Sequence, residues 1–158
     1  MKFDAGIFDL FDKKWALVTA GDINDFNTMT ISWGGMGTLW STPVVTVYVK
    51  PVRYTHEFME KNGFFTVSFF GEEYRRALGL LGSKSGRDCD KVALSGLTPV
   101  SAGENAVGFK EAETVIVCRK IYSQDLDPNA IPDRAKETYY RTEAPHTMYI
   151  GEVINIRQ

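Results

Sequence analysis

The sequence predicts a mainly β, α+β fold, in which an antiparallel barrel has helices inserted between its strands. Short runs rich in β-branched and aromatic residues predict strands at residues 14–20, 27–33, 44–50 and 64–70. Turn-forming residues separate these runs at hairpin spacing, and helical patterns lie between later ones. This mixture favours an antiparallel barrel over a doubly wound sheet, in which parallel strands alternate with helices.

The connections in the first half follow from turn and cap residues. Residues 21–25, Gly-Asp-Ile-Asn-Asp, predict a hairpin between the first two strands. Residues 34–43 contain Gly-Gly-Met-Gly and then Ser-Thr-Pro, which predicts a flexible loop around Leu39 and Trp40. A helix is predicted to begin at Thr55 as its N-cap and to end at Asn62-Gly63.

The second half contains further helix and strand patterns. Helices are predicted at residues 72–81 and 88–95, the latter stopped by Gly96. Strands are predicted at residues 113–122 and 146–157. Residues 123–145 include three prolines and predict a long surface excursion.

Composition and charge limit the classes of partner. With 158 residues, 44% of them hydrophobic, the chain suits a single domain over residues 1–158. A net charge of −2 gives no basic footprint, so we expect neither nucleic acid nor an anionic membrane as partner. Asp4 stands where a signal peptide would begin its apolar region, which predicts a cytoplasmic protein. Cys89 and Cys118 form no Cys-x-x-Cys pair, so we expect reduced thiols.

Several common motifs fail on inspection. The Gly35-Met-Gly segment has Trp40 where a dinucleotide fingerprint needs its third glycine. The glycines of residues 79–85 lack the Gly-Lys pair of a phosphate loop. The only histidines, His56 and His146, have no partner at metal-ligand spacing, so no metal site is predicted.

Two segments carry candidate binding chemistry. In the strand at 27–33, alternation places Met29, Ile31 and Trp33 on one face and a row of three hydroxyls on the other. Arg53 precedes the helix predicted at Thr55, where free N–H groups and the helix dipole favour an anion. Taken alone, the hydroxyl row fits a solvated face better than a binding face. Taken alone, Arg53 is explained at least as well as an ordinary surface arginine.

Four motifs in order resemble the flavin reductase-like, FMN-binding split-barrel family, which includes the flavoredoxins. They are Asn27-Thr-Met-Thr-Ile-Ser-Trp33, Arg53-Tyr-Thr55, Asp90-Lys91 and His146-Thr-Met-Tyr-Ile-Gly-Glu-Val153. The resemblance spans about residues 14–154 and implies a six-stranded antiparallel split β-barrel, a homodimer and one FMN per subunit. The chain departs from the commoner family pattern at Ser68 and in the loop from Tyr122 to Pro145.

The resemblance also implies roles for individual residues. The isoalloxazine ring would be bordered by Asn27, Met29, Thr30, Ile31, Ser32 and Trp33. Arg53 and Thr55 would hold the phosphate, and Ser85 and Lys91 would close the phosphate or ribityl side. His146 would be the catalytic residue near the exposed flavin face, where nicotinamide docks. From the residues alone, Lys91 fits a solvated helical face and His146 an edge-strand histidine with a pKa near neutrality.

The expected function is therefore an FMN-dependent oxidoreductase in which NADH or NADPH reduces flavin by hydride transfer. A flavin needs its phosphate neutralised, polar groups for one ring edge and an apolar wall for the other. Arg53 with the helix start supplies the first, Thr30 and Ser32 the second, and Trp33 or Trp40 the third. The alternatives are a flavoredoxin-type electron carrier with a redox partner protein, and a split-barrel protein that binds FMN or another ligand without turnover.

Overall fold

The computed structural model describes residues 6–158, and the start of the chain, on which the expectation of a cytoplasmic protein rests, lies outside them. The strands of the described residues are β1 (Ala16–Asp22), β2 (Asp25–Ile31), β3 (Gly34–Leu39), β4 (Thr42–Val49), β5 (Phe64–Phe69), β6 (Pro99–Gly103), β7 (Ala106–Phe109), β8 (Thr114–Asp125) and β9 (Thr147–Arg157). The helices are α1 (Gly6–Asp12), α2 (Tyr54–Lys61), α3 (Arg75–Ser83), α4 (Lys91–Ser95) and α5 (Asp133–Tyr139). None of the helices within these residues is long and apolar enough to cross a membrane.

Seven of the described strands form one antiparallel sheet in the order β2-β1-β5-β8-β9-β4-β3, and β6 and β7 form a separate hairpin. The sheet curls around a core but does not close, because its two edge strands, β2 and β3, are not paired with each other. This confirms the predicted antiparallel split barrel. The predicted number of six strands is too low, since segments 34–39 and 99–109 also form strands.

The segment predicted as a flexible loop at 34–43 is instead an edge strand and a tight hairpin. β3 pairs with β4 from Gly34 opposite Val47 to Leu39 opposite Thr42. Trp40 and Ser41 make the two-residue turn, with φ values of 51° and 60°, as a primed hairpin turn requires. A Cβ at Gly34 would lie 2.6 Å from Cε1 of Phe11 in α1, so this glycine lets the helix pack closely on the strand.

Two hydrophobic clusters hold the barrel and α3 in place. Val18, Val45 and Val67 lie inside the barrel with no more than 1% exposure. Leu17, on the opposite face of β1, packs with Leu78 of α3 in a second cluster. β1 is therefore buried on both faces, which explains its lack of polar alternation.

The predicted helices are present, with shifted starts. α2 ends with Asn62 as C-cap, as predicted, but its N-cap is Arg53 and Thr55 lies inside the first turn. The N-cap prediction for Thr55 is therefore wrong. Asp90 caps α4 by accepting from the Ala93 N–H at 3.1 Å, and Gly96 ends that helix at φ 77°.

Residues 123–145, predicted as a long surface excursion, contain regular secondary structure. β8 continues to Asp125, beyond its predicted end, and α5 follows after a short 3-10 turn at Pro128–Ala130. Cys118, at the centre of β8, is fully buried, and burial raises the pKa of its thiol to about 12. Both cysteines are free thiols, as predicted.

Candidate functional site

A cavity of about 270 Å³ lies beside the edge strand β2, and we call it the strand cavity. Its walls come from the end of β2, from β4 and the residues after it, and from the residue before β9. The lining residues are Met29, Thr30, Ile31, Ser32, Trp33, Tyr48, Lys50, Arg53, Glu143 and His146. Because β2 is an edge strand, alternate backbone N–H and C=O groups point away from β1 and are available to a ligand.

A second cavity of about 230 Å³, which we call the helix cavity, lies between the start of α2 and the loop after α3. Its lining residues are Asn27, Val52, Arg53, Tyr54, Thr55, Ser83, Lys84, Ser85, Lys91 and Glu143. Arg53 and Glu143 line both cavities, so the two cavities adjoin. Together they form one elongated site.

The structure brings all the predicted site residues to this elongated site. The strand cavity contains Met29, Thr30, Ile31, Ser32, Trp33 and His146, and the helix cavity contains Asn27, Thr55, Ser85 and Lys91. Arg53 lies at their junction. Two residues singled out in the sequence lie elsewhere: Trp40 lines neither cavity, and Ser68 is fully buried in β5.

Arg53 is held in place by the end of α3. Its Nη2 donates to the carbonyl oxygen of Gly82 at 2.8 Å, one of the carbonyls left without a partner in the last turn of the helix. The guanidinium is partly buried, and burial lowers its pKa, while the nearby carboxylate of Glu143 raises it. A guanidinium has five N–H donors, so most of them remain for a ligand.

Lys91 is a buried cation and does not lie on the solvated face that its charged surroundings suggest. Its side chain is 3% exposed, and Nζ donates to the carbonyl oxygens of Leu81 at 3.0 Å and Lys84 at 3.1 Å. Burial and the charge of Arg53 lower its pKa to about 8. Among residues 6–158 it has no carboxylate within ion-pair distance.

The two cations make the helix cavity suited to an anion. Arg53 and Lys91 are close enough that the charge of one lowers the pKa of the other. Placing like charges together in a partly buried site is costly unless a ligand neutralises them. A phosphate group has the charge and the acceptor oxygens to do so. The nearby Thr55 is buried and accepts from Nδ2 of Asn27 at 2.8 Å, which fixes the wall of this cavity.

The hydroxyl row of β2 does not act as one polar surface. Thr28 is buried, and its hydroxyl lies 2.8 Å from that of Thr19 on β1. Thr30 donates to the carbonyl oxygen of Leu78 in α3 at 2.5 Å. Of this row, Thr30 and Ser32 line the strand cavity. The expectation of a continuous hydroxyl face is therefore wrong, because α3 packs over part of it.

His146 lies in an aromatic cluster and is neutral at physiological pH. Its Nδ1 is 2.7 Å from the hydroxyl of Tyr140, and its ring centroid is 5.2 Å from that of Trp33. Burial and the charge of Lys50 lower its pKa to about 4, against the smaller effect of Glu143. The expected pKa near neutrality is therefore wrong. The neutral imidazole donates one hydrogen bond from one ring nitrogen and accepts one at the other.

Seven lining residues of the two cavities were not predicted: Tyr48, Lys50, Val52, Tyr54, Ser83, Lys84 and Glu143. Tyr140, which lies within hydrogen-bond distance of His146, was not predicted either. Lys50 ends a predicted strand, so among these residues its position beside the cavity was the easiest to predict from the sequence. Its Nζ donates to Glu143 Oε2 at 2.7 Å and to the carbonyl oxygen of Tyr139 at 2.9 Å. These contacts cross about ninety positions of sequence, and no local pattern signals them.

The chain is similar in sequence to a known domain family. A family profile described as "Flavin reductase like domain" matches residues 8–158. No curated protein matches the chain.

Solved structures share its fold. Flavoredoxin from Methanosarcina acetivorans is 21% identical, with a TM-score of 0.74 over 100% of this chain and 74% of that chain. Flavoredoxin of Desulfovibrio vulgaris (Miyazaki F) is 26% identical, with a TM-score of 0.71 over 99% and 76%. An NADH:FAD oxidoreductase from Streptomyces globisporus C-1027 is 18% identical, with a TM-score of 0.69 over 92% and 75%.

Proposed function

Since the chain belongs to the flavin reductase-like domain family, we propose that it is an FMN-binding oxidoreductase in which NADH or NADPH reduces the flavin. Family membership supports a flavin-binding redox function. The proposal adds the identity of the flavin, its orientation and the electron donor. It treats residues 1–158 as one flavin-binding domain.

The observation that carries the proposal is the junction of the two cavities at Arg53. One side offers two cations, Arg53 and Lys91, for a phosphate, and the other offers a wall of β2 with apolar and polar groups for a planar ring. A flavin mononucleotide has the same two parts joined by a ribityl chain. We place its phosphate in the helix cavity and its ring in the strand cavity.

The strand cavity supplies what each ring edge needs. Trp33, which is 38% exposed, provides apolar surface, and Met29 and Ile31 border the cavity from the barrel core. The free backbone edge of β2 with Ser32 provides hydrogen-bonding groups. In the helix cavity, Ser85 and Lys91 would close the phosphate or ribityl side. This assigns the cofactor-binding role to Asn27, Met29, Thr30, Ile31, Ser32, Trp33, Arg53, Thr55, Ser85 and Lys91.

His146 is proposed to position the nicotinamide. The bound flavin supplies hydride acceptance, so the protein needs to orient the donor and needs no general base. The hydroxyl of Tyr140 and Nδ1 of His146 are 2.7 Å apart, and either atom can donate. We propose that Tyr140 donates, which puts the proton of the neutral imidazole on Nε2, where it would donate to the carboxamide of the nicotinamide.

A titration with two flavins tests the phosphate assignment. The protein should bind FMN more tightly than riboflavin, measured by quenching of flavin fluorescence. Arg53→Ala should weaken FMN by about 1.5 to 3 kcal/mol, the worth of a hydrogen bond to a charged group, and leave riboflavin unchanged. Arg119→Ala is a matched control, because Arg119 pairs with Glu152 and lines neither cavity. Equal affinity of the wild type for the two flavins would show that the phosphate is not bound at Arg53.

A second experiment separates the reductase from the alternatives. Anaerobic addition of NADH or NADPH to the FMN-loaded protein should bleach the flavin absorbance. Reduction by a protein donor but by neither nucleotide would identify a flavoredoxin-type carrier. Bound FMN that no donor reduces would identify a binding protein without turnover.

We also propose a homodimer in the cytoplasm. Trp40 is 68% exposed at the β3–β4 turn, and an exposed indole of this kind suits a protein interface. Ile150 lies on β9, on the face opposite the buried Tyr149. The free thiols of Cys89 and Cys118 support a reducing compartment.

A further inference from the structure

Glu143 is an acidic residue at the junction of two cavities that otherwise present cations. It lines both the strand cavity and the helix cavity. Its Oε2 accepts from Nζ of Lys50 at 2.7 Å. Lys50 lowers the pKa of Glu143 most, and Arg53 adds to the effect, so the carboxyl is ionised at neutral pH.

Glu143 is the one residue of segment 133–145 that lines the strand cavity, and the segment contacts the site through a few residues near its C-terminal end. The Tyr139 ring meets the edge of the Trp33 ring at a centroid distance of 4.9 Å. Lys50 donates to the carbonyl oxygen of Tyr139 at 2.9 Å, and Tyr140 bonds His146. No residue of α5 is buried. The segment is therefore held mainly by Lys50 and by ring contacts with the site itself.

We propose that Glu143 is an internal anion that competes with the flavin phosphate for the cations of the site, so that binding of a phosphorylated flavin releases segment 133–145. The inference rests on the proposed function, because it needs a flavin phosphate beside Arg53. A phosphate there would share the junction with a carboxylate of the same charge. Like charges in a partly buried site repel, and Glu143, on an exposed segment, is the group free to leave.

The affinities of two variants test the competition. Glu143→Gln removes the charge and keeps the shape, so it should tighten FMN binding about three- to tenfold. Riboflavin carries no phosphate, and its affinity for Glu143→Gln should match that for the wild type. Glu137→Gln is the control, since Glu137 is exposed on the same segment and lines neither cavity. Unchanged FMN affinity, or equal changes for FMN and riboflavin, would overturn the inference.

Limited proteolysis tests the release. Trypsin can cut segment 133–145 after Arg134, Lys136 and Arg141. Saturating FMN should speed cleavage at these sites at least severalfold, and riboflavin should not, while cleavage after the exposed Lys110 stays constant as an internal reference. In Glu143→Gln, the free protein should already be cut faster than the wild type. Protection of these sites by FMN would overturn the release.

Different results would overturn the proposed phosphate site and the inference about Glu143. A wild type that binds FMN no better than riboflavin overturns the proposed phosphate site, and the inference falls with it. A wild type that prefers FMN, with an unresponsive Glu143→Gln variant, overturns the inference alone.

Discussion

Lys91 shows how burial changes the meaning of a single residue. Its sequence context is a charged helix start, yet its ammonium group is buried against the carbonyl oxygens of Leu81 and Lys84. Two of its three donors cap α3, and one remains for a ligand. The same side chain therefore stabilises the helix and presents charge to the helix cavity.

The lowered pKa of Lys91 predicts how FMN binding depends on pH. Above its pKa of about 8 the free protein loses one positive charge. The affinity for FMN should therefore fall as pH rises from about 8 to 10, by up to about tenfold per pH unit. Fluorescence titration across this range measures the effect, with riboflavin as the control for ring ionisation.

Two variants define the origin of this dependence. Lys91→Arg keeps its charge throughout, so its FMN affinity should not fall with pH. Lys91→Met should bind FMN weakly at every pH. A wild-type slope that persists in both variants would assign it to another group.

Substitution of His146 is expected to change the rate of flavin reduction without changing the affinity for FMN. Its imidazole is neutral above about pH 4, so flavin reduction should show no His146 titration between about pH 5.5 and 8. His146→Asn should keep FMN affinity and thermal stability but slow anaerobic reduction by NADH or NADPH about tenfold, since one lost interaction costs about 1 to 3 kcal/mol. Stopped-flow absorbance measures this step. Unchanged reduction rate and donor affinity would leave His146 with a structural role only.

At the scale of an element, β3 is an edge strand that depends on one close approach. Phe11 of α1 covers Gly34, and a Cβ there would meet its ring at 2.6 Å and the carbonyl oxygen of Thr46 at 3.0 Å. Gly37, three residues along the same strand, has no atom within 4 Å of the equivalent position. Close packing therefore requires glycine at position 34 but leaves room for a side chain at position 37.

This contrast gives a matched pair of variants. Gly34→Val should lower the free energy of unfolding by about 1 to 3 kcal/mol, the usual cost of overpacking, because it pushes Phe11 away from the strand. Gly37→Val should cost little, since valine suits an edge strand. Urea unfolding followed by fluorescence compares the two. Equal stability of the variants would show that α1 does not need the close contact.

At the scale of the whole molecule, the proposed dimer is the next test. Light scattering at micromolar concentration should give twice the monomer mass of 17.7 kDa. Trp40→Ala should shift the mass towards the monomer, because it removes an indole that is 68% exposed in the single chain. Ile23→Ala, at the exposed β1–β2 turn, is the control and should leave the mass unchanged. A wild-type mass of 17.7 kDa would refute the dimer.

Several parts of the fold and site follow from local sequence. The strand runs and the Gly96 stop need only neighbouring residues, and the structure contains these strands, with ends shifted by a few residues, and ends α4 at Gly96. The chemistry at Arg53 was also accessible, since it precedes a helix start. β3 was missed because its glycines indicate flexibility locally, whereas pairing with β4 extends them.

By itself, the sequence determined the antiparallel, helix-bearing architecture and the alternation of residue types along β2, because periodicity and turn chemistry act over a few residues. The tertiary structure alone decided that Thr55 accepts from Asn27, that Lys91 is buried, that His146 is neutral and that Glu143 faces Lys50. Each of these depends on desolvation or on contacts between distant segments, and Lys50 and Glu143 are 93 residues apart. Such contacts exist only once the barrel has brought the segments together.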